Sequence, residues 1–384
     1  MRATLTDEQH MLRASAIDWL ADHYDFRVRN ASVHRDGGST TVWSAFADLG
    51  WLGLPLPESA GGLGAGLLES CLLAQAMGRH LVVEPWLACV AEAARLLALT
   101  GDDTQRATWL PGVVAGKHRI VLADAEGMST AEPLRTVARP CDGGWTLDGF
   151  KPAVVSAPGA ARLLVSARVP DSGTALFIVD PQSAGIVHDA YDTVDDRRAA
   201  DISFQSVRLT DDTWLGAHAT CADAKTAIER VRAESQTITC WYVLGVMQAA
   251  LDQTARHVLQ RRQFGKPLAE LQVVQHRIAE MAVLCAEAEA ACELTAMHLS
   301  ERDDASGIEA VAHIKTARAA HFVGKESVQL HGAMGVCEEL PIAASFRVLS
   351  AFGQCTRDTA EHAAIHGSRL LASGAFAHSR TLYI

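Results

Sequence analysis

The hydrophobic pattern of this 384-residue chain changes twice along its length, near residues 119 and 221. Between these points the sequence consists of short Val-, Ile- and Leu-rich runs separated by Gly, Pro and Asp, which is typical of β-strands. Before and after them apolar residues recur at helical spacing, and the stretches after residue 221 are longer than an average helix. The chain is therefore predicted to be an α+β protein with an N-terminal α-helical domain (1–118), a middle β domain (119–220) and a C-terminal helical bundle (221–384).

The first helix carries a recognisable start signal. Thr6 has the side chain of a helix N-cap, and Gln9 follows three residues later, which is the spacing of a capping box. Apolar residues then follow at helical spacing as far as Leu20. The sequence therefore predicts that the first element is a helix beginning just after Thr6.

Charge and composition exclude several classes of partner. The net charge of -11 argues against a nucleic-acid surface or a polybasic membrane face, because neither is easily built against an acidic background. No run of 18 or more uncharged apolar residues is present, so no membrane span is predicted. The nine cysteines are scattered without a C-x-x-C pair, and the N-terminal residues lack the layout of a secretory signal. We therefore expect a cytoplasmic protein.

Two stretches of the C-terminal segment carry side chains that a dinucleotide would need. In "RRQFGKPLAELQVVQHRIAEM" (261–281), Arg261 offers a planar cation for a pyrophosphate. Gln272, together with Gln329 of "VQLHGAMGVCEELP" (328–341), offers amide groups for further oxygens and an adenine edge. The glycines of the second stretch would let the backbone approach phosphates closely.

Two histidines in these stretches invite a metal or base interpretation. His276 and His331 are not accompanied by Cys, Asp or Glu at metal-ligand spacing. Each is therefore predicted to be a hydrogen-bonded structural histidine, and no metal site is predicted.

The order of the three segments, together with "GWLGLPLPESAGGLG" (50–64) and the two stretches above, resembles the acyl-CoA dehydrogenase family over the whole chain. The R-x-Q-F-G string and the later Q-x-x-G-x-x-G string are its most specific parts. The resemblance implies an N-terminal α domain, a middle β-barrel and a C-terminal four-helix bundle. It also implies FAD-dependent α,β-desaturation of an acyl-CoA thioester, with electrons passed to an acceptor flavoprotein. The cofactor-binding residues that it implies are Arg261, Gln263, Phe264, Gln272, Gln329, Gly332 and Gly335.

The catalytic glutamate of the family has no counterpart at either of its usual positions. Most members place it where this chain has Thr356, and a minority place it where this chain has Ser235. Threonine and serine have no accessible ionised form with which to remove an α-proton. The nearest acids are Asp358, two residues past the first position, and Glu234, which one helical step turns by about 100° from the second. Both stay candidates for a catalytic base in this chain.

The segments that would hold the flavin ring also depart from the family. Where members have a T-E-P-like segment, this chain reads "ADAEGMSTAEP" (123–133), in which Ala125 replaces a hydroxyl residue and Glu126 is kept. Where members have W-I-T or W-I-S, which packs on the flavin, this chain has Ala153 to Val155. The resemblance thus implies that a ring-packing aromatic residue and a hydroxyl donor are missing.

These departures suggest a division of labour between two chains. In the family each flavin lies between two subunits, and one subunit clamps the pyrophosphate and adenine while the other holds the ring. This chain is similar to the small-subunit type of pimeloyl-CoA dehydrogenases and to paired α2β2 enzymes of bacterial steroid degradation. We therefore expect a helper subunit with a homologous partner. A homo-oligomer, and a flavin-free protein that binds acyl-CoA or a partner without catalysis, stay open as alternatives.

Overall fold

The computed structural model describes residues 5–127, 134–216, 221–301, 307–354 and 359–372. Helices precede and follow a central sheet, which confirms the predicted α+β class. The helices are α1 (Asp7–His23), α2 (Phe26–Ser32), α3 (Thr40–Asp48), α4 (Leu67–Arg79), α5 (Arg95–Thr100), α6 (Asp103–Val114), α7 (Cys221–Gln260), α8 (Gln272–Glu301), α9 (Glu309–His331), α10 (Pro341–Phe352) and α11 (Thr359–Ala372). The strands are β1 (Ile120–Ala123), β2 (Val137–Cys141), β3 (Gly144–Val155), β4 (Arg162–Val169), β5 (Gly173–Val179), β6 (Ile186–Asp192), β7 (Arg198–Leu209), β8 (Arg262–Gln263) and β9 (Lys266–Pro267).

The start of α1 is capped as the sequence predicts. The backbone N–H of Gln9 donates to Thr6 Oγ1 at 3.2 Å, and the backbone N–H of Thr6 donates to Gln9 Oε1 at 3.0 Å. This reciprocal pair satisfies two N–H groups that the helix itself leaves without acceptors. The predicted first helix and its N-cap are therefore confirmed.

The middle strands form one seven-stranded sheet of mixed direction. Its hydrogen-bonded order is β1-β4-β2-β3-β7-β6, and β5 pairs with β4. β1 and β4 are parallel, whereas β3 pairs antiparallel with β7 and β7 with β6. The β3–β7 register shifts between Lys151 and Val154, which is a β-bulge. This bulge lies at the positions where the family resemblance expects the flavin-packing residues.

One stretch before α5 is wound differently from the other helices. Leu87–Ala94 is π-helical and continues directly into α5. π-Helical turns are rare and are found frequently at functional sites. The stretch carries Glu92, whose surroundings are described below.

The contacts divide the chain into two compact units, each built from separate stretches of sequence. One unit comprises residues 1–22, 71–81 and 239–384, and the other comprises residues 23–70 and 82–238. The predicted domain boundaries at residues 118 and 220 stay a prediction. Across the described ranges, no helix is both long enough and apolar enough to cross a membrane.

Within the first unit, α4 and α7 cross at very short distance. A Cβ atom on Gly78 would lie 1.9 Å from the carbonyl oxygen of Tyr242, and one on Gly245 would lie 2.1 Å from that of Gln75. Only glycine fits at either point, because an added Cβ would overlap backbone atoms that cannot move away easily. The crossing fixes α7, whose C-terminal end leads into the candidate site.

Candidate functional site

A short hairpin follows the C-terminal end of α7 and presents the R-x-Q-F-G string. Strands β8 and β9 are joined by a two-residue turn, in which Phe264 has φ of 54° and Gly265 has φ of 80°. Positive φ at both turn residues is the pattern of a type I′ hairpin. The turn holds Phe264 at the tip, where 85% of its surface is exposed.

Arg261 lies at the base of this hairpin with its backbone fixed on both sides. Its N–H donates to the carbonyl oxygen of His257 at 2.8 Å, and its carbonyl oxygen accepts from the N–H of Leu268 at 2.9 Å. The side chain is exposed and forms no ion pair with any carboxylate of the described residues. Gln263 is exposed on β8, and Gln272 is exposed at the first residue of α8.

The Q-x-x-G-x-x-G string begins at the C-terminal end of α9. Its two glycines differ in their backbone conformation and in the space around them. Gln329 is exposed, and Gly332 follows the helix with φ of 63° and open space where a Cβ would stand. Gly335 is buried, and a Cβ there would lie 2.6 Å from the carbonyl oxygen of Val328. Gly332 therefore leaves free backbone at the surface, whereas Gly335 permits close packing against α9 itself.

A pair of histidines brings together the C-terminal ends of α7 and α9, near the starts of the two strings. The rings of His257 and His331 stack with centroids 4.3 Å apart and planes inclined by 23°. Nδ1 of His331 is 2.8 Å from the carbonyl oxygen of Ser327, so it donates this hydrogen bond, as expected for a structural histidine. Sequence analysis missed His257, because no local pattern reveals a contact between residues on two different helices.

In the middle domain, Glu126 is fully engaged by its own chain. Its Oε1 accepts from Lys151 Nζ at 2.7 Å and from the N–H of Thr136 at 3.0 Å, while its Oε2 accepts from the N–H of Arg135. Lys151 Nζ also donates to Ser166 Oγ at 3.1 Å and to the Asp124 carbonyl oxygen at 3.0 Å. The Lys151 side chain is 0% exposed, and burial lowers its pKa while Asp124 and Glu126 oppose that change. The retained glutamate therefore supports the sheet.

A second charged group adjoins this network. The carboxylate of Asp124, just after β1, is buried and accepts a hydrogen bond from the guanidinium of Arg232 on α7. Glu92 on the π-helical stretch is within electrostatic range of both. Burial raises the pKa of Glu92, the negative charge of Asp124 adds to this and Arg232 opposes both, so that the pKa lies at about 7. Near neutral pH this carboxyl group therefore exchanges a proton.

We expect Glu92→Gln to stabilise the protein at alkaline pH. The unfolded chain ionises this group near its ordinary pKa of 4.5 and the folded chain only at about 7, so ionisation costs the folded state stability as pH rises between the two values. The variant should gain about 1–3 kcal/mol in free energy of unfolding at about pH 8 and little at about pH 5. Urea unfolding at both pH values measures this. Glu58→Gln, at an exposed position, is the control, and an equal gain at both pH values would contradict the assignment.

At the bulge in β3, the positions expected to pack on the flavin ring form hydrogen bonds within this chain instead. Ala153 is exposed with φ of 50°, and its N–H donates to Asp201 Oδ1 at 2.8 Å. Tyr191 Oη donates to the same oxygen at 3.0 Å. The position where the family resemblance implies tryptophan thus presents a methyl group beside a carboxylate that already accepts two hydrogen bonds. Ala153 therefore offers no aromatic face against which a flavin ring could pack.

The two candidate bases differ in what the structure says of them. Asp358 lies outside the described residues, as does Thr356. Glu234 is buried, and its carboxylate accepts from Arg95 Nε at 3.0 Å and from Arg230 Nε at 2.7 Å. Two guanidinium groups hold this carboxylate in an ion pair, which favours a structural role. Among the described residues, no cluster of three or more His, Cys, Asp or Glu side chains could hold a metal ion.

Comparison with known proteins decides the family. The family model for the acyl-CoA dehydrogenase N-terminal domain matches residues 6–117, and that for the acyl-CoA dehydrogenase C-terminal domain matches residues 225–353. Together they match more than half of the chain. The chain belongs to the acyl-CoA dehydrogenase family. The expected fold of this family, with helical N- and C-terminal parts around a middle sheet, is thereby confirmed.

Curated relatives and solved structures resemble this chain over most of its length. The acyl-CoA dehydrogenase FadE12 of Mycobacterium tuberculosis is 25% identical over 88% of this chain and 89% of its own. The benzylmalonyl-CoA dehydrogenase of Aromatoleum aromaticum is 28% identical over 72% and 75%. The Tcur3481-Tcur3483 steroid ACAD structure is 29% identical over 97% and 100%, with a TM-score of 0.86. The ChsE4-ChsE5 complex of Mycobacterium tuberculosis, at 24% identity over 97% and 99%, shares the fold with a TM-score of 0.87.

Proposed function

We propose that this family member is the helper subunit of a heteromeric, FAD-dependent acyl-CoA dehydrogenase. It clamps the pyrophosphate and adenosine of a flavin whose ring lies in a homologous partner chain, and that partner supplies the catalytic glutamate. The proposal rests on a contrast between the residues that would bind the diphosphate and adenosine of FAD and those that would hold its ring. The clamp residues (Arg261, Gln263, Phe264, Gln272, Gln329 and Gly332) are exposed, whereas the ring-holding positions are small or engaged internally.

The clamp residues fit the diphosphate half of FAD. Arg261 is an exposed planar cation without a carboxylate partner among the described residues, and Gly332 leaves room for a ligand beside free backbone. Phe264, at 85% exposure, is an aromatic side chain available to another surface. An exposed aromatic tip next to an uncompensated cation suits a ligand and partner that complete the site.

The chemistry would then be shared between the two chains. When bound, FAD supplies hydride acceptance from the β-carbon of an acyl-CoA thioester, while a carboxylate takes the α-proton. Arg261 would neutralise the diphosphate, and the amides of Gln272 and Gln329 would fix its orientation. Glu234, held by Arg95 and Arg230, would take no part in proton transfer. An acceptor flavoprotein would receive the electrons.

A second candidate function is flavin-free binding of acyl-CoA or of a partner protein. It is favoured by the state of the positions expected to pack on the flavin ring, where Asp201 accepts hydrogen bonds from both Ala153 and Tyr191. The exposed clamp fits either ligand, because acyl-CoA also carries a diphosphate. The two candidates therefore differ in whether Arg261 matters to cofactor content.

Anaerobic titration with acyl-CoA thioesters tests the proposed reaction. The chain co-purified with a homologous partner should lose its flavin absorbance band with at least one thioester from a panel running from linear to steroid-like acyl groups. The chain alone should show no such change. If the partner supplies the base, Asp358→Asn in this chain should still allow the thioester to bleach the flavin band. Failure of this variant to bleach would instead indicate that Asp358 is the base.

A further inference from the structure

The clamp lies in a group of basic side chains that have no acidic partners. Within the ranges that the structure describes, none of the five side chains named below forms an ion pair with a carboxylate, although the whole chain has a net charge of -11. An uncompensated group of this kind attracts an anion. Its members, here called the basic lobe, are His257, Arg261, Arg262, Lys266 and His331.

Two histidines form the inner part of the basic lobe. His257 is half-buried on the last turn of α7, four residues before Arg261, and the positive charge of Arg261 acts on its ring. His331 is also half-buried, and Gly332 follows it directly. The ring stack, with centroids 4.3 Å apart, therefore brings the chain before Arg261 close to the chain before Gly332.

The hydrogen bonding of His331 leaves one of its nitrogens available. A carbonyl oxygen can only accept, so Nδ1 carries a proton in its 2.8 Å contact with Ser327. In neutral His331 Nε2 is therefore an acceptor, and protonation there would turn it into a donor with positive charge. A diphosphate oxygen can accept a hydrogen bond from such a donor.

We propose that the His257–His331 pair is a proton-dependent part of the diphosphate site, which adds positive charge beside Arg261 when a dinucleotide binds. The inference rests on the proposed function, because it assigns two further residues to the same clamp. It goes beyond that function in predicting that the affinity for the cofactor depends on pH through these two rings.

The direction of this dependence follows from the charges that act on His257. Burial lowers the pKa of His257, and the neighbouring His331 and Arg261 lower it further, so the ring is largely neutral without ligand near pH 7. Within the described residues, these two are the titratable and charged groups that act on the ring. The negative charge of a bound diphosphate would offset the effects of His331 and Arg261, so His257 should take up a proton on binding. Affinity should therefore rise as pH falls.

ADP-ribose binding to the full-length chain tests the inference. Its diphosphate is a diester and keeps its charge across this pH range, and it has no flavin ring. By calorimetry the dissociation constant should be about five-fold lower at about pH 6 than at about pH 8. His257→Gln and His331→Gln should each reduce that ratio to below about two-fold. His321→Gln, on an exposed position of α9, should keep the wild-type ratio.

The outcomes separate this inference from the proposed function. Adenosine, which lacks the diphosphate, should show no comparable pH dependence. Wild-type binding that is independent of pH, or a ratio unchanged in both histidine variants, would overturn the role of the pair and leave the clamp standing. Failure of the wild-type chain to bind ADP-ribose at any pH, with Arg261→Ala indistinguishable from it, would overturn both.

Discussion

Lys151→Met should lower the free energy of unfolding by about 3–5 kcal/mol, the usual cost of removing one partner of a buried ion pair. Lys151 is 0% exposed, and its ammonium group donates to Glu126, Ser166 and the backbone of Asp124. Methionine fills a similar volume but donates nothing, so the carboxylate of Glu126 would lose its counter-charge in a buried position. Urea denaturation at about pH 7 measures the loss.

Two further variants make this measurement specific. Lys225→Met removes an exposed lysine whose nearest carboxylate is 4.0 Å away, and should change stability by less than about 0.5 kcal/mol. Lys151→Met with Glu126→Gln should recover part of the loss, because no buried charge is then left unpaired. A loss for Lys151→Met no larger than that for Lys225→Met would show that the buried network is not formed.

Arg261→Ala should weaken FAD binding by the assembly about 10- to 100-fold, as expected when a charged hydrogen-bond donor to a phosphate is lost. Its guanidinium is exposed and has no carboxylate partner among the described residues, so its removal should leave the fold intact. The flavin content of the purified assembly, read from its absorbance ratio to protein, measures the effect.

The matched control for this variant is Arg256→Ala. Arg256 is an exposed arginine on α7, five residues before Arg261, and its Nε donates to the carbonyl oxygen of Asp252 at 3.2 Å. It should leave the flavin content unchanged. Equal flavin content in both variants would contradict the assignment of Arg261 to the clamp, whereas a wild-type assembly without flavin would favour the flavin-free alternative.

The parts of the molecule that local patterns encode were predictable from sequence. The capping pair of Thr6 and Gln9 needs only residues three apart, and α+β class follows from hydrophobic periodicity. The clamp strings are short and specific, so their residue types and spacing are enough to locate them. The roles of their residues stay predictions, since no ligand contact tests them.

The remaining parts depend on contacts between residues far apart in the chain. Asp124 meets Arg232 across 108 positions, and the backbone of Ala153 meets Asp201 across 48. Each contact brings together side chains that look ordinary in their own stretch of sequence. The structure also separates Gly335, which closes a packing contact, from Gly332, which leaves open space, although one motif contains both.

The number of flavins per assembly tests most directly the claim that this chain works in trans. Co-expression with a homologous dehydrogenase gene, followed by determination of subunit ratio, mass and FAD content, should give an α2β2 tetramer with about two flavins, because each heterodimer then completes one site. Four flavins per tetramer, or a fully flavinylated and active homotetramer of this chain alone, would contradict the account.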